Sequence, residues 1–342
     1  MDPQTGLTAL KSRSIGMCGS RIASAVVLAA VLLGAGLAHG DTVLYLSTRA
    51  PNTIAGVAFE EGDVVAYNMT TSTASLLFRG DGRFRDSSGN PMANGGGTEN
   101  IDALAVLSPT TILLSTNADA RLGRPTQPGG TLHFYSEDVV LYDIASDTAT
   151  LYFDGTARFR TSGWNLGASP NLDAFEVLPN GHYLISTAAD GRLGTNHLAF
   201  HSGDVVEYDP LNDTASLYFS QGLFRAADGD FGNPRDVDGV AINPITGNLL
   251  LSTDADVARL GNPMLSFSDG DIVDYDRAND TATLFFNQAL FLVHCENDDL
   301  DAFDVVSVGF QQDDQVPEPL TLLAVGTALA GIAGYARRRT AA

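Results

Sequence analysis

Four aspartates recur at one place in a repeated phrase. Asp102, Asp173, Asp238 and Asp301 each sit in an Asn/Asp-x-Asp-Ala/Gly-x-x-Val/Ile pattern, and two residues before them stand Asn100, Asn171, Asp236 and Asp299. If such a phrase forms the same strand in every unit of a ring, the four carboxylates stand at equivalent positions around one axis. Like charges so placed repel and raise one another's pKa unless a cation sits among them. Calcium, which takes about six to eight oxygen ligands, suits the set better than zinc, because the His and Cys residues are scattered. The competing reading is structural: a residue present in every unit ordinarily serves the unit, here by accepting backbone N–H bonds. Repetition favours it.

Other polar residues invite similar comparison. Asp119 with Arg121, Asp190 with Arg192, and Asp256 with Arg259 belong to a repeated Ala-Asp-x-Arg-Leu-Gly phrase and are expected to tie a loop to the neighbouring unit by charge-assisted bonds. Residues that do not repeat are the better place to seek a ligand or a reaction. His197 and His201 form the one pair spaced as candidate ligand-binding residues, and Trp164, the only tryptophan, sits in an inserted Arg-Thr-Ser-Gly-Trp-Asn loop where it could stack on a sugar. His133, His182 and His294 complete the dispersed set. No serine lies in a nucleophile elbow, no glycine loop is built for phosphate, and no His pair has helical zinc spacing. A binding or structural module is therefore the expected class. The alternative is a propeller enzyme, a hydrolase or lyase acting on polysaccharide or a lactone, with an acidic residue and an unrepeated histidine as acid and base.

These residues must be positioned by a repeat. Leu-Ser-Thr or Ile-Ser-Thr phrases begin four units, and their serines, Ser47, Ser115, Ser186 and Ser252, are 68, 71 and 66 residues apart. Each unit continues with Asp-Val/Ile-Val-x-Tyr-Asp/Asn at Asp63, Asp138, Asp204 and Asp271, and then Thr-Ala-Ser/Thr-Leu-x-Phe at Thr73, Thr148, Thr214 and Thr281. A period of this size means a repeat architecture. The apolar runs are short and rich in Val, Ile, Leu, Tyr and Phe, and Gly, Asn, Asp or Pro bounds them, so they read as antiparallel strands with almost no helix. Tyr208 to Thr214 reads as the turn between two of them.

Four strands in each of four units predict an all-β, four-bladed β-propeller. The phase of the repeat argues for closure. The first unit has no Asp-Ala strand before it, whereas the chain has an unmatched one at Asp301 to Gly309, and the interval from that aspartate to the next serine elsewhere is 13, 13 and 14 residues. The C-terminal strand is expected to pair into the first blade and remove the open edge. Phe84, Phe159, Phe224 and Phe291, each following the last strand phrase, are expected to pack between blades. The layout resembles other small propellers such as the hemopexin group, without a shared motif.

The ends of the chain read differently. Residues 1–40 carry Lys11, Arg13 and Arg21, then an apolar run from Ile22 to Leu37, then Ala-His-Gly, the pattern of a secretory signal peptide. Residues 41–315 are the repeat domain, with 13 arginines, no lysine and 39 acidic residues, a formal charge of −26. Such a surface repels nucleic acid and anionic lipid and points to cations or neutral glycans as partners. Cys295 is its only cysteine, so it holds no internal disulfide. Residues 316–342 contain Pro317-Glu318-Pro319, an apolar run over 320–336 and Arg337-Arg338-Arg339, which reads as a short transmembrane helix held by arginines on the cytoplasmic side. This segment resembles the PEP-CTERM sorting signal of Gram-negative bacteria. The resemblance implies export through the inner membrane, recognition by an exosortase-type processing enzyme, and a cell-surface or matrix destination among exopolysaccharide.

Overall fold

Aromatic residues at the end of every fourth strand decide how the units meet. The computed structural model describes residues 41–308 apart from 87, 92–98, 125–129, 161–169, 232–234, 255–257 and 293–299. The expected signal peptide, Trp164, Asp299, and the sorting segment with its 320–336 span lie outside the described residues. Within them, four antiparallel four-stranded sheets form the blades of a propeller. Blade 2 runs Ile101–Ser108, Thr111–Thr116, Val139–Asp143, Thr148–Phe153, and blade 3 runs Leu172–Val177, Tyr183–Thr187, Val205–Asp209, Thr214–Phe219. Blade 4 runs Gly239–Ile242, Leu249–Ser252, Ile272–Asp276, Thr281–Phe286. Blade 1 is built from both ends of the domain: Ala302–Val308, then Asp41–Ser47, Val64–Asn68 and Thr73–Phe78. The expected closure is present, with Ser47 opposite Ala302 and Asp41 opposite Val308.

The first strand of each blade is the inner one. These four strands touch one another in cyclic order, blade 2 to 3 to 4 to 1 and back to 2, which closes the ring about an axis. Among the described residues helix is confined to a single turn at Gly155–Arg158 and two 3₁₀ turns, Gln221–Leu223 and Gln288–Leu290. One element was not anticipated. Between the second and third strands each blade carries a small hairpin: Asn52–Ile54 with Val57–Phe59, Ala120–Leu122 with Leu132–Phe134, Gly191–Leu193 with Leu198–Phe200, and Ala258–Leu260 with Leu265–Phe267. The repeated Arg-Leu-Gly phrase forms most of its first arm, three residues long and thus too short to announce itself as a strand.

The apolar cores lie between blades rather than within them. Each of four clusters draws buried residues from two neighbouring blades, such as Leu46 and Tyr67 with Leu250 and Phe286 across the closing junction. At every junction one phenylalanine from the last strand meets two other rings edge-on. Phe78 packs on Phe84 and Tyr142, Phe153 on Phe159 and Tyr208, Phe219 on Phe224 and Tyr275, and Phe286 on Phe291 and Tyr67, with centroids 5.5–6.2 Å apart. Burying one such ring contributes about 1.5–3 kcal/mol, and favourable ring pairs add about 0.5–1.5 kcal/mol. The residue after Phe84, Phe159, Phe224 or Phe291 then donates its backbone N–H across the junction to the next hairpin: Arg85 to Arg121 O, Arg160 to Arg192 O, Arg225 to Arg259 O and Leu292 to Thr53 O, at 2.8–2.9 Å. The hairpin phrase does tie blades together, but through its carbonyls. No ion pair joins Asp119 to Arg121 or Asp190 to Arg192 among the described residues.

Charged bolts reinforce three of the four junctions. Asp147, Asp213 and Asp280 occupy the left-handed position of the turn before the last strand, at φ 56°, 52° and 50°. Each accepts the hydroxyl of a tyrosine on its own blade: Tyr142 at 2.6 Å, Tyr208 at 2.7 Å, Tyr275 at 2.9 Å. Each also meets the arginine that follows Phe84, Phe159 or Phe224 on the preceding blade: Arg85 at 3.2 Å, Arg160 at 3.9 Å, Arg225 at 2.6 Å. Burial and the neighbouring carboxylate push these tyrosine hydroxyls above their ordinary range. At the closing junction the aspartate is replaced by Ser72 and the arginine by Leu292, so both halves of the bolt are missing together. Asp147 is buried, and removing one partner of such a set leaves the other uncompensated. Asp147→Ala should therefore cost about 3 kcal/mol in urea unfolding, whereas Ser72→Ala should stay within about 0.5 kcal/mol; equal costs would show that the bolt carries no load.

Candidate functional site

The inner strands bring their aspartates to one cavity at one end of the axis. Asp102 and Asp173 sit at β-bulges, where the register with the second strand skips from Ile101 to Ala103 and from Leu172 to Ala174. A bulged residue is released from the ladder and its side chain can be re-aimed. Asp102, Asp173, Asp238 and Asp301 are all buried, 7–9 % exposed, and all four line a cavity of about 210 Å³. Asn100, Asn171 and Asp236, two residues earlier, line it as well.

A third set surrounds them. Arg49, Asn117, Ala188 and Asp254 follow directly on the Ser-Thr pair of each second strand, and they line the cavity from its exposed rim. Local hydrogen bonds put them there. Thr48, Thr116 and Thr187 bond through Oγ1 to the carbonyl two residues on, at 2.7–2.8 Å, which turns the chain about the residue between. The turned residue's N–H donates to the carbonyl of the inner-strand partner: Asn117 to Asn100 at 3.0 Å, Ala188 to Asn171 at 2.9 Å and Asp254 to Asp236 at 3.4 Å. Rim and inner ring are thereby locked as pairs.

The electrostatics are strongly one-sided. Six carboxylates, Asp102, Asp173, Asp236, Asp238, Asp254 and Asp301, share the cavity with one guanidinium, Arg49. Burial first, and then the charges of Asp236, Asp102, Asp301 and Asp254, hold the Asp173 carboxyl well above the usual carboxylate range. Asp236 is pushed up to about 6 by burial and by Asp254, against a bond from the Val237 N–H. Burial also raises Asp254, although a bond from the Asp236 N–H and the charges of Arg235 and Arg49 pull it down. Amides relieve part of the repulsion: the Asn171 side-chain NH₂ donates to Asp102 at 2.6 Å and Asp173 at 3.2 Å, and Asn100 donates to Asp301. The other atom of each amide, Asn100 Oδ1 and Asn171 Oδ1, is inaccessible and has no hydrogen-bond partner.

The aspartates of the Asp-Val-Val phrase have a different role. Each accepts two backbone N–H groups, as Asp63 does from Glu60 and Gly80 and Asp138 from Tyr135 and Gly155. Repetition here serves the blade. The expected ring of Asp102, Asp173, Asp238 and Asp301 converges, but as the lining of a cavity wider than one ion. Among the described residues no three carboxylate, imidazole or thiol groups are close enough to grip a single metal together.

The histidines lie elsewhere. His197 occupies the turn of the blade 3 hairpin with φ 52°, and His201 follows that hairpin's second arm, with its Nδ1 3.2 Å from Asp190. Neither lines the cavity, nor does His133, which stacks on Tyr135. His182 bonds Glu207 at 2.7 Å.

Two further carboxylates escaped the sequence reading. Three residues beyond the axial aspartates the inner strands carry Ala105, Glu176, Ala241 and Asp304. Asp304 accepts the N–H groups of Val106 and Val305, both at 2.6 Å, yet burial pushes it up to about 6. Burial and the charge of Asp304 hold Glu176 well above its ordinary range, and its Oε2 has no partner. The signal was available: acid at a position where the other two blades have alanine.

No family model and no curated protein matches this chain. Solved structures are similar at low identity. A protein of unknown function from Bacteroides caccae is 10 % identical with a TM-score of 0.31, over 78 % of this chain and 99 % of that one. The extracellular domain of a putative hybrid two-component system from B. thetaiotaomicron is 8 % identical with a TM-score of 0.33, over 78 % of this chain and 36 % of that one. The fold stands on its own strand order and ring closure.

A raised carboxyl binds its proton more tightly in the folded than in the unfolded chain, so its cost to stability is complete above the folded pKa and declines below it, to nothing near the unfolded pKa. Asp236→Asn should therefore raise the melting temperature relative to the parent at pH 7.5, and the difference should shrink as the pH falls below about 6 and be gone near the unfolded value, about 4. Thermal unfolding across that range checks it; a difference independent of pH would show that Asp236 is not held protonated by the fold.

Proposed function

We propose that this chain is an exported cell-surface or extracellular-matrix propeller that acts as a binding module, and that its acidic axial cavity is a cation site. The observation that carries the reading is the convergence of six carboxylates on one cavity. Like charges confined together favour whatever cation can enter. Calcium is the small ion whose hard oxygen preference matches the lining, with water completing its shell across so wide a space. Export is supported by the apolar N-terminal stretch and by the resemblance of residues 316–342 to the PEP-CTERM signal, which makes an exosortase-type enzyme the processing partner and a surface exopolysaccharide or other glycan the surroundings. On this reading the inner membrane is a transient station, reached through residues 320–336.

Thermal unfolding of the full chain in detergent, with calcium and with a chelator, tests the cation site. A ligand that binds only the folded form stabilises by about 2.7 kcal/mol at 100 times its Kd, and calcium should accordingly raise the melting temperature by several degrees. The rise should disappear in the Asp173→Asn, Asp301→Asn double variant. An unchanged melting temperature in calcium would remove the ion from the reading.

A further inference from the structure

We propose that the end of the ring opposite the cavity is its membrane-facing end, held there by residues 309–319, so that the acidic mouth is presented away from the bilayer. This orientation rests on the reading of residues 320–336 as the membrane segment and adds which end of the propeller meets it.

Strand direction fixes where the chain leaves the ring. Every inner strand starts beside its cavity aspartate and runs away from the mouth, and in blade 1 that strand is Ala302–Val308. Its neighbour Asp41–Ser47 runs back, with Asp41 opposite Val308 and Ser47 opposite Ala302, and Arg49 two residues on lines the cavity. Asp41 and Val308 therefore lie together at the far end. At about 3.3 Å per residue of strand, the seven residues from Asp301 to Val308 put that end about 23 Å from the cavity aspartates.

The length of the linker excludes the inverted arrangement. Eleven residues, 309–319, separate Val308 from the apolar run, and fully extended they span at most about 40 Å. Val308 is on the inner strand, so a chain bound for the mouth end must pass outward over three neighbouring strands, about 14 Å, and then back along the blade, about 23 Å. It has no shorter way through the ring, because neighbouring and opposite inner strands touch one another there. The detour uses about 37 Å before the side chains of the outer strand and the hairpins beyond the mouth are cleared. Nothing is left to reach a bilayer on that side. From the far end the same linker needs no detour.

The two ends also differ in construction. Among the described residues the far end consists of short turns, and in every blade the turn before the outer strand is closed in the same way: Asn68, Asp143, Asp209 and Asp276 each accept the backbone N–H groups two and three residues on, at 2.9–3.1 Å. The hairpins, and the connections from each outer strand to the next blade, lie at the mouth end. A low, uniform face can stand close to a bilayer, whereas loops and a cavity are of use only where solutes reach them. Three of the four turn residues are carboxylates, which repel anionic lipid. The linker, rather than adhesion, sets the orientation.

Energy transfer from the full chain in phosphatidylcholine vesicles, with the acceptor on the lipid headgroup, tests this. Cys18 and Cys295 are replaced by serine, and one donor-labelled cysteine at a time is introduced at an exposed alanine: Ala145→Cys or Ala278→Cys at the far end, Ala58→Cys or Ala199→Cys on the hairpins of the mouth end. With a donor–acceptor pair whose range is shorter than the ring's height, transfer should be strong from the first two positions and lost from the other two. Vesicle flotation is read first. A chain that does not float with the vesicles would overturn the membrane reading of residues 320–336, and the orientation with it. Flotation with equal transfer from all four positions, the result for a ring lying on its side, or with stronger transfer from Ala58 and Ala199, would overturn the orientation alone. Doubling the stretch 309–319 should shrink the difference between the two ends; a difference left unchanged would overturn the linker as its cause.

Discussion

Everything in this molecule depends on the aromatic wedge between blades. A single blade is a four-stranded sheet with two apolar faces, and neither face is covered by anything within its own unit. Phe78, Phe153, Phe219 and Phe286 solve this four times in the same way, each lodged against one ring of its own repeat and one tyrosine of the next. Because the burial is between units, no blade is stable by itself and the ring must close. The cyclic contact of the inner strands and the pairing of Asp41–Ser47 with Ala302–Val308 follow from that need. The charged bolts are secondary. The closing junction lacks both Asp and Arg at the bolt positions, yet it keeps its wedge, Phe286 between Phe291 and Tyr67. That the bolt's two halves are lost together fits the cost of burying one without the other.

Closure has an electrostatic consequence that no single blade would show. One aspartate at the mouth of a strand is harmless; four brought around an axis are not, and Asp173 shows it, raised by the charges of the other blades once burial has removed most of the water. The fold tolerates this by interleaving amides, so that Asn171 reaches from its own blade to Asp102 on the one before. The relief is partial, since each amide spends its NH₂ on a carboxylate and leaves its oxygen unmatched. Stability lost at this point of the ring is supported by the wedges further out.

Much of the fold was legible because repetition multiplies weak signals. A five-residue run such as Val205–Asp209 is ambiguous alone; four copies at one phase, with an unmatched strand at the far end, specify the propeller and its closure. The hairpins were not legible, since an arm of three residues such as Gly191–Leu193 has no periodicity to read. The aspartates of the floor could be placed in one ring from phase, but their spacing across the axis depends on blade tilt and on bulges at Asp102 and Asp173, and sequence carries neither. The result is a cavity where a tight cage was one expectation. His197 and His201 lie on the blade 3 hairpin, the element that the sequence did not disclose, and so do not line the cavity.

The rim does not repeat, so repetition carries no signal of it. Aligning units on what they share directs attention to Ser47, Ser115, Ser186 and Ser252, which hold the second strand, and away from the residues two positions later, where the units disagree. In a closed ring those roles separate physically. A residue that holds a blade together meets the same surroundings four times and is kept four times. A residue at the axis faces its three counterparts and whatever lies among them, so variation there changes the mouth without disturbing any blade. Arg49, Asn117, Ala188 and Asp254 vary in this way at one end of the axis, and Ala105, Glu176, Ala241 and Asp304 vary further along it. In a symmetric fold the blades can differ toward the axis without cost to one another, and in this chain two such sets of positions lie on it.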